Sequence, residues 1–540
     1  MTNRVEQVTI VGGGTAGWLT ALSLTSFLNA GREGPPVGVT LIESPKVPTI
    51  GVGEATVAGL PMLLQQLGLN ERDFFRRCNT SFKLSVRFGH WSQDASGAPI
   101  DFYHPFNFPP HLAGFIPAYH YKKYGPLDGI SDFADAMVEN TALVKALRGP
   151  RPLGRAPYDQ AINYAYHLDA ALFGQFLREG AMARGVRHVR DDVVDIERDE
   201  RGYISALTLE QGGRHPVELV IDCTGFQGLI LQKFMGEPFL PFGDQLLCDR
   251  AIPVQLPHRD PNRIEPCTRA TALGAGWVWR VPLYSRVGTG YVYSSKFRSD
   301  DEAKAEFLAH VRRVGDLPAE AEDPELRVIK MRIGRTRRAW VKNCVAIGLS
   351  GGFIEPLEST AIHMTDASVR WLAGLFPDKA VSPDLAGAFN HRVERLYDEV
   401  RDFIQTHYLT SNRPEPFWQA ARGEVQVPDG LAQRLAQWRR VLPDETDTPG
   451  HSLFNHWNYI YALWPKGHFA ESEFPLEGSI SRRPWELYSQ HLAREKAQLL
   501  ATLPDHVSLL RDIRGEPLSG TAGLAGAAAV GGLNLAQTGR

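Results

Sequence analysis

Cysteine is scarce in this sequence. There are five in 540 residues, at positions 78, 223, 248, 267 and 344, and none falls in a C-x-x-C pair. An odd count with such spacings excludes a disulfide framework, matches no zinc site, and reads as reduced thiols in a cytoplasmic protein. No metal centre is expected. Long apolar runs are also missing, so no membrane span is expected. The apolar stretch over residues 8–24 is interrupted by Gly and Thr and has no basic segment before it, which separates it from a signal peptide. Excess charge is small: the net charge of −3 argues against nucleic acid or an anionic membrane as the main partner. No internal repeat occurs. What remains is ordinary globular composition, 43% hydrophobic and 22% charged. The length allows one large enzyme body or two to three domains.

The informative stretch lies near the start. Val8, Ile10 and Val11 give a short buried strand, and Gly12, Gly14 and Gly17 follow in G-x-G-x-x-G spacing. Trp18 to Leu28 reads as an amphipathic helix, and a second strand over Val39 to Ile42 ends at the acid Glu43. The glycines suit a tight turn, room for a pyrophosphate and close helix–strand contact, while the helix N-terminus offers free N–H groups to phosphate. Glu43 is spaced to hold a ribose hydroxyl. Strand, glycines, helix, strand and acid in that order predict a dinucleotide site, and the fingerprint occurs once.

Further along, GVGEAT (51–56) forms a second glycine-bearing turn before a helix over Val57 to Leu69. Residues 80–91 alternate like one strand and carry Lys83. Residues 99–122, crowded with aromatics, His and Pro, read as a folded loop over a pocket. A helix is expected over 166–185, then strands within 186–209 and 219–223, with a glycine turn in Asp222-Cys-Thr-Gly-Phe226. Residues 268–297 are strand-like. A buried strand at 343–347 precedes GLSGGFIEPLEST and a helix from Ala361 to Leu375. The pattern is helical over about 386–440 and again over 478–512, and the Gly/Ala-rich tail from Gly515 reads as disordered. The expected division is a cofactor-binding core over 1–385, a helical subdomain over 386–512 that completes the substrate site, and a tail over 513–540.

One dinucleotide site suits a dehydrogenase or a flavoprotein. No hydride-transfer partner is evident, whereas the DCTGF and GLSGGF turns would bring backbone to a flavin stretched along the sheet. The helix opening at Thr360 and Ala361 offers N–H groups to a small anion; an ordinary capped helix, with Ser359 or Thr360 as N-cap, is the competing reading.

Trp277-Val-Trp279-Arg-Val-Pro282 resembles the W-x-W-x-I-P signature of flavin-dependent halogenases. GGGTAGW, GVGEAT, the Lys83 strand, DCTGF, DQLLCDRA, GWVWRVPL, GYVYSS and EPLEST are similar to the tryptophan-halogenase branch, and they occur in its order over roughly residues 5 to 500. The resemblance implies an α/β, glutathione-reductase-type FAD-binding fold with a mainly helical C-terminal subdomain. It implies an enzyme in which reduced FAD, oxygen and chloride or bromide give hypohalous acid. That acid passes through a tunnel to Lys83, which presents electrophilic halogen to an electron-rich aromatic ring. Glu358 matches the catalytic glutamate beside the lysine, and Thr360 and Ala361 match the backbone halide site. Gly12, Gly14, Thr15, Ala16, Gly17, Glu43, Glu54, Ala55, Val193, Leu357 and Ile362 are assigned to the cofactor. Trp277 and Trp279 would wall the flavin off from substrate. His104, Phe106 and Trp457 are assigned to the substrate.

Two departures matter. The motif usually ends EST-Gly, and here it ends with Ala361. The segment 441–457 shows no equivalent of the clamp that tryptophan halogenases use for free tryptophan, so indole or an indole-like ring is the expected substrate. A separate NAD(P)H-dependent flavin reductase would supply reduced FAD, and a homodimer is compatible with the reading. The alternative is a flavin-dependent aromatic hydroxylase, which has no need of Lys83, Glu358 and the tryptophan pair together. A third is a catalytically idle FAD- or aromatic-binding protein, against which the presence of Lys83 argues.

Overall fold

The computed structural model describes residues 4–47, 53–450, 452–470 and 474–518. Its frame is a six-stranded sheet in the order Trp340–Val341, Cys344–Ala346, Leu219–Asp222, Gln7–Val11, Gly38–Glu43, Arg187–Arg190. Every pairing is parallel except the outer hairpin of 340–346. The fingerprint strand therefore lies at the sheet centre, and the carboxyl ends of its neighbours deliver Glu43 and the 222–226 turn to one edge. Such an edge is where open α/β sheets bind ligands. The helix after the fingerprint, Thr15–Asn29, is buried on all sides from Gly17 to Thr25 and is not amphipathic. It is sandwiched between the helices Ala170–Met182 and Ala361–Gly374, so no face is left for water.

A second, mainly antiparallel sheet of seven strands carries the tryptophan pair. Its order runs Ile329–Lys330, Arg250–Leu256, Val287–Tyr293, Gly276–Pro282, Cys267–Leu273, Ser85–Gln93, Pro99–Pro105. The alternating stretch at 80–91 is two strands. Ser81–Lys83 pairs with Ala165–Asp169 in a small sheet, while Ser85–Gln93 joins the large one. The change of sheet falls at Leu84, whose N–H goes to Pro266 O at 2.8 Å. Lys83 is thus the last residue of the short strand, at the junction of two sheets.

Other expectations need correcting. Residues 99–122 are not a loop throughout: Pro99–Pro105 is an edge strand and Pro117–Tyr124 a helix. Pro99 and Pro105 sit at the ends of the edge strand and Pro117 in the first turn of the helix, where a missing N–H costs little, and Pro109 and Pro110 lie in the irregular segment between them. The helix expected over 57–69 is limited to Leu60–Gln66. That expected over 166–185 begins at Ala170, because Ala165–Asp169 is a strand and the Asp169 carboxylate caps the helix through Ala171 and Leu172 N–H. Gly51 and Val52 of GVGEAT, and the tail beyond Leu518, lie outside the described residues. The C-terminal region is helical, with Pro383–Leu409, Pro416–Gly423, Asp429–Gln437, His456–Leu463, Arg482–Thr502 and His506–Arg514. Among the described residues no helix is long and apolar enough to cross a membrane, and no group of His, Cys, Asp and Glu could hold a metal.

Candidate active site

A cavity of about 760 Å³ runs from the fingerprint to the EPLEST turn. Gly12, Gly14, Thr15, Ala16, Glu43, Glu54, Ala55 and Val193 line one part, and Trp277, Trp279, Leu357, Glu358, Thr360, Ala361 and Ile362 line another. The backbone fits an elongated dinucleotide. A Cβ on Gly12, at φ 119°, would fall 2.2 Å from Cys223 O, and one on Gly13 would strike the Glu43 side chain at 2.3 Å. Gly14 faces open space. Gly17 does not line the cavity: a Cβ there would lie 1.9 Å from Gly12 O, so its role is helix–strand packing. Sequence reasoning missed Asp191, Asp192 and Thr365 as further lining residues.

The tryptophan pair stands on one face of its strand, with ring centroids 6.4 Å apart. Trp279 rests on Gly290, where a Cβ would meet the indole at 2.2 Å. Trp277 Nε1 donates to Glu355 Oε1 at 3.1 Å, and Tyr408 O–H donates to the same oxygen. Burial pushes the Glu355 carboxyl up to about 7.

Lys83 does not line the cavity. Its Nζ, fully buried, donates to Thr56 O at 2.9 Å and Ser359 Oγ at 3.1 Å, and lies 5.4 Å from the Phe106 ring centre. Burial pulls its pKa down to about 8, and the Glu358 charge opposes the fall. Glu358 and Ser359 have φ of 69° and 63°, the left-handed region. Two consecutive non-glycine residues there are strained and persist only where surrounding contacts hold them.

Glu358 is clamped by two histidines on one oxygen. Its Oε1 lies 2.7 Å from His104 Nδ1 and 3.0 Å from His407 Nε2. Burial would raise its pKa, but these two contacts outweigh burial and hold the carboxyl well below the usual carboxylate range. Burial and the nearby Lys466 push His407 down to about 3. Lys466 Nζ is 3.3 Å from His407 Nδ1 and 3.1 Å from its carbonyl oxygen, and burial lowers its own pKa to about 7.

His104 therefore meets Glu358, and Phe106 meets Lys83. Trp457 is one residue from Asn458, whose amide contacts His104, but its own ring packs against Tyr461 at 5.8 Å. Phe454 stacks on Phe403 at 3.9 Å within the core. His407, Lys466 and Asn458 were missed. A histidine inside QTHYL on a long helix looks like core packing, and Asn458 looks like part of a helix cap.

Thr360 is the N-cap of the Ala361–Gly374 helix and makes no side-chain capping bond; Ser359 instead faces Lys83. Among the described residues neither the Thr360 nor the Ala361 N–H donates to a backbone carbonyl. The first turn thus keeps donors for an anion.

Fold and cavity define a flavoenzyme-type architecture in which a clamped glutamate lines the cavity and a buried lysine lies just outside it. Residues 7–481 match the tryptophan halogenase family model. The chain is 36% identical to tryptophan 6-halogenase ThaL of Streptomyces albogriseolus, over 95% of this chain and 100% of that one. It is 39% identical to tryptophan 7-halogenase RebH of Lentzea aerocolonigenes, over 81% and 83%. The crystal structure of a tryptophan halogenase from Shewanella frigidimarina superposes with a TM-score of 0.87 at 32% identity, covering 95% of this chain and 98% of that one. The chain belongs to the tryptophan halogenase family, a family of flavin-dependent enzymes.

Proposed function

We propose that this protein halogenates an electron-rich aromatic ring, indole or an indole-like ring in preference to free tryptophan, using FAD, oxygen and chloride or bromide. The observation that carries the reading is the pairing of Lys83, itself outside the dinucleotide cavity, with the 358–359 turn that lines it. Bound in reduced form, FAD would supply with oxygen the oxidising equivalents that convert halide to hypohalous acid. Gly12 to Ala16, Glu43, Glu54, Ala55 and Val193 would hold it, Leu357 and Ile362 would flank its ring, and the Thr360 and Ala361 N–H groups would hold the halide.

Lys83 has three N–H donors as an ammonium. Two go to Thr56 O and Ser359 Oγ, which leaves one for the oxygen of hypohalous acid. Phe106, beside Lys83, and His104 form the adjoining wall for an aromatic ring. The low pKa of Glu358 makes it a poor base; its fixed negative charge suits polarising the reagent and stabilising the cationic ring as halogen adds. Trp277 and Trp279 keep the ring from the flavin, which favours halogenation over hydroxylation. The helical region from 386 onward supports Glu358 through His407, Asn458 and Lys466.

A single dinucleotide fingerprint implies reduced FAD from a separate NAD(P)H-dependent reductase. The test is mass spectrometry of an aromatic panel incubated with enzyme, reductase, FAD and bromide or chloride. Mass shifts of one halogen for one hydrogen support the reading; addition of a single oxygen to the ring would replace it with hydroxylation.

A further inference from the structure

Two histidines bonding the same carboxylate oxygen raise the question of which ring nitrogens carry protons. A carboxylate only accepts, so the nitrogen facing Glu358 on each ring is protonated. For His407 that is Nε2, and its low pKa makes it a neutral ring with a bare Nδ1. Lys466 Nζ lies 3.3 Å from that Nδ1 and donates also to the His407 carbonyl, which anchors it there.

For His104 the nitrogen facing Glu358 is Nδ1. Its Nε2 lies 2.8 Å from Asn458 Nδ2. The orientation of the Asn458 amide is set independently: Asn455 N–H donates to Asn458 Oδ1 at 2.8 Å as part of the capping box of the His456–Leu463 helix. With Oδ1 engaged, Nδ2–H is turned to His104, and an N–H at Nε2 would oppose it. His104 Nε2 is therefore bare. The neutral ring with its proton on Nδ1 is the less common form of free histidine, so it needs a built partner.

We infer that Asn458 and Lys466 are positioning residues that fix His104 and His407 in opposite neutral tautomers, so that Glu358 Oε1 receives two N–H donors and Oε2 is left to face the reagent. The inference rests on the proposed role of Glu358 for its functional meaning, but the tautomers themselves are properties of the resting protein. Neither residue touches substrate or cofactor in this scheme. Each acts through an imidazole, as partners of metal-bound or catalytic histidines do.

The experiment is long-range proton–nitrogen correlation NMR on ¹⁵N-histidine-labelled protein at neutral pH, without flavin or substrate. His104→Gln and His407→Gln spectra assign the two rings among the 17 histidines. The expected result is a protonated Nδ1 and bare Nε2 for His104, and the reverse for His407. The same tautomer in both rings, or an imidazolium in either, overturns the inference.

Two variants extend the test to turnover. Asn458→Asp keeps an oxygen for the Asn455 cap but replaces a donor to His104 by an acceptor. Its His104 should become protonated on both nitrogens, and kcat should fall about tenfold with the aromatic KM within about twofold, the pattern of a transition-state effect. Lys466→Met removes the donor and the charge beside Nδ1, so His407, still donating from Nε2 to Glu358, should become protonated on both nitrogens, with a similar loss of kcat. Wild-type signals and wild-type kcat in both variants overturn the inference even where the resting tautomers are as expected. If instead the tautomers are as expected and Glu358→Gln retains full turnover, the proposed role of Glu358 fails and the tautomer assignment stands.

Discussion

Lys83 Nζ donates to Ser359 Oγ across 3.1 Å, joining the end of a three-residue strand to a turn 276 residues later in the chain. Ser359 follows Glu358, and both backbones are left-handed. The strained turn therefore presents a carboxylate and a lysine acceptor side by side. Lys83→Met removes a buried ammonium and fills its volume with a flexible apolar chain, so the variant should fold. Oxidation of added reduced FAD should continue, because Lys83 lies outside the dinucleotide cavity. Halogenated product should fall by about 10²-fold or more, the range for loss of a positioned proton donor. Product near the wild-type rate removes Lys83 from the mechanism.

The lysine also sets a pH dependence. Its pKa is lowered to about 8, chiefly by burial. If the ammonium holds hypohalous acid, the competent form exists below that value and is lost as pH rises through it. The kcat profile should show a basic limb near pH 8 and decline about tenfold per pH unit beyond it. A profile that rises through pH 8 would point to the neutral amine and a haloamine instead.

Glu358→Gln replaces an anion clamped by two imidazoles with a neutral amide. The amide can accept through its oxygen, so the His104 and His407 contacts need not collapse. The charge that would stabilise the cationic ring is gone. kcat and kcat/KM should fall together by about 10²-fold, with the aromatic KM nearly constant. A pure rise in KM would recast Glu358 as a binding residue.

Much of the frame was legible because it is local. The strand, glycines, second strand and Glu43 are contiguous, and Gly12, Gly13 and Gly17 each answer to a steric demand seen in the fold, while Gly14 faces open space. Lys83, Glu358 and the tryptophan pair were legible only as a resemblance, since nothing local tells a catalytic lysine from one on a strand edge. His407 and Lys466 were not legible at all. Their meaning comes from the long Pro383–Leu409 helix and the segment after His456–Leu463 folding back onto a turn near residue 358. The expected single strand at 80–91 failed for a similar reason. Alternation persists through Leu84, and only tertiary pairing shows that the chain changes sheets there.

The substrate is the last question the site addresses. A zwitterionic amino acid needs a partner for its carboxylate and another for its ammonium, since burying either unpaired is costly. In the segment after Val441, where a clamp was sought, two carboxylates are already engaged. Asp447 accepts from Trp438 Nε1 and Gln437 Nε2, and Asp444 accepts from Thr446 N–H and Oγ1. Nearby, Glu399 receives Phe454 N–H, and Lys466 is bound to His407. Phe454 is stacked in the core. What the site offers a ring is flat and apolar: Phe106 beside Lys83, with Tyr461 and Trp457 packed behind His104. Indole meets these surfaces without stranding a charge, and its C3 carbon is the most electron-rich position open to an electrophile. kcat/KM for indole should therefore exceed that for free tryptophan by about tenfold or more, the value of roughly 1.4 kcal/mol of unpaired charge, with 3-haloindole as the product. Side-by-side kinetics with the same reductase and halide decide it, and a clear preference for tryptophan would mean that the carboxylate and ammonium find partners in this pocket after all.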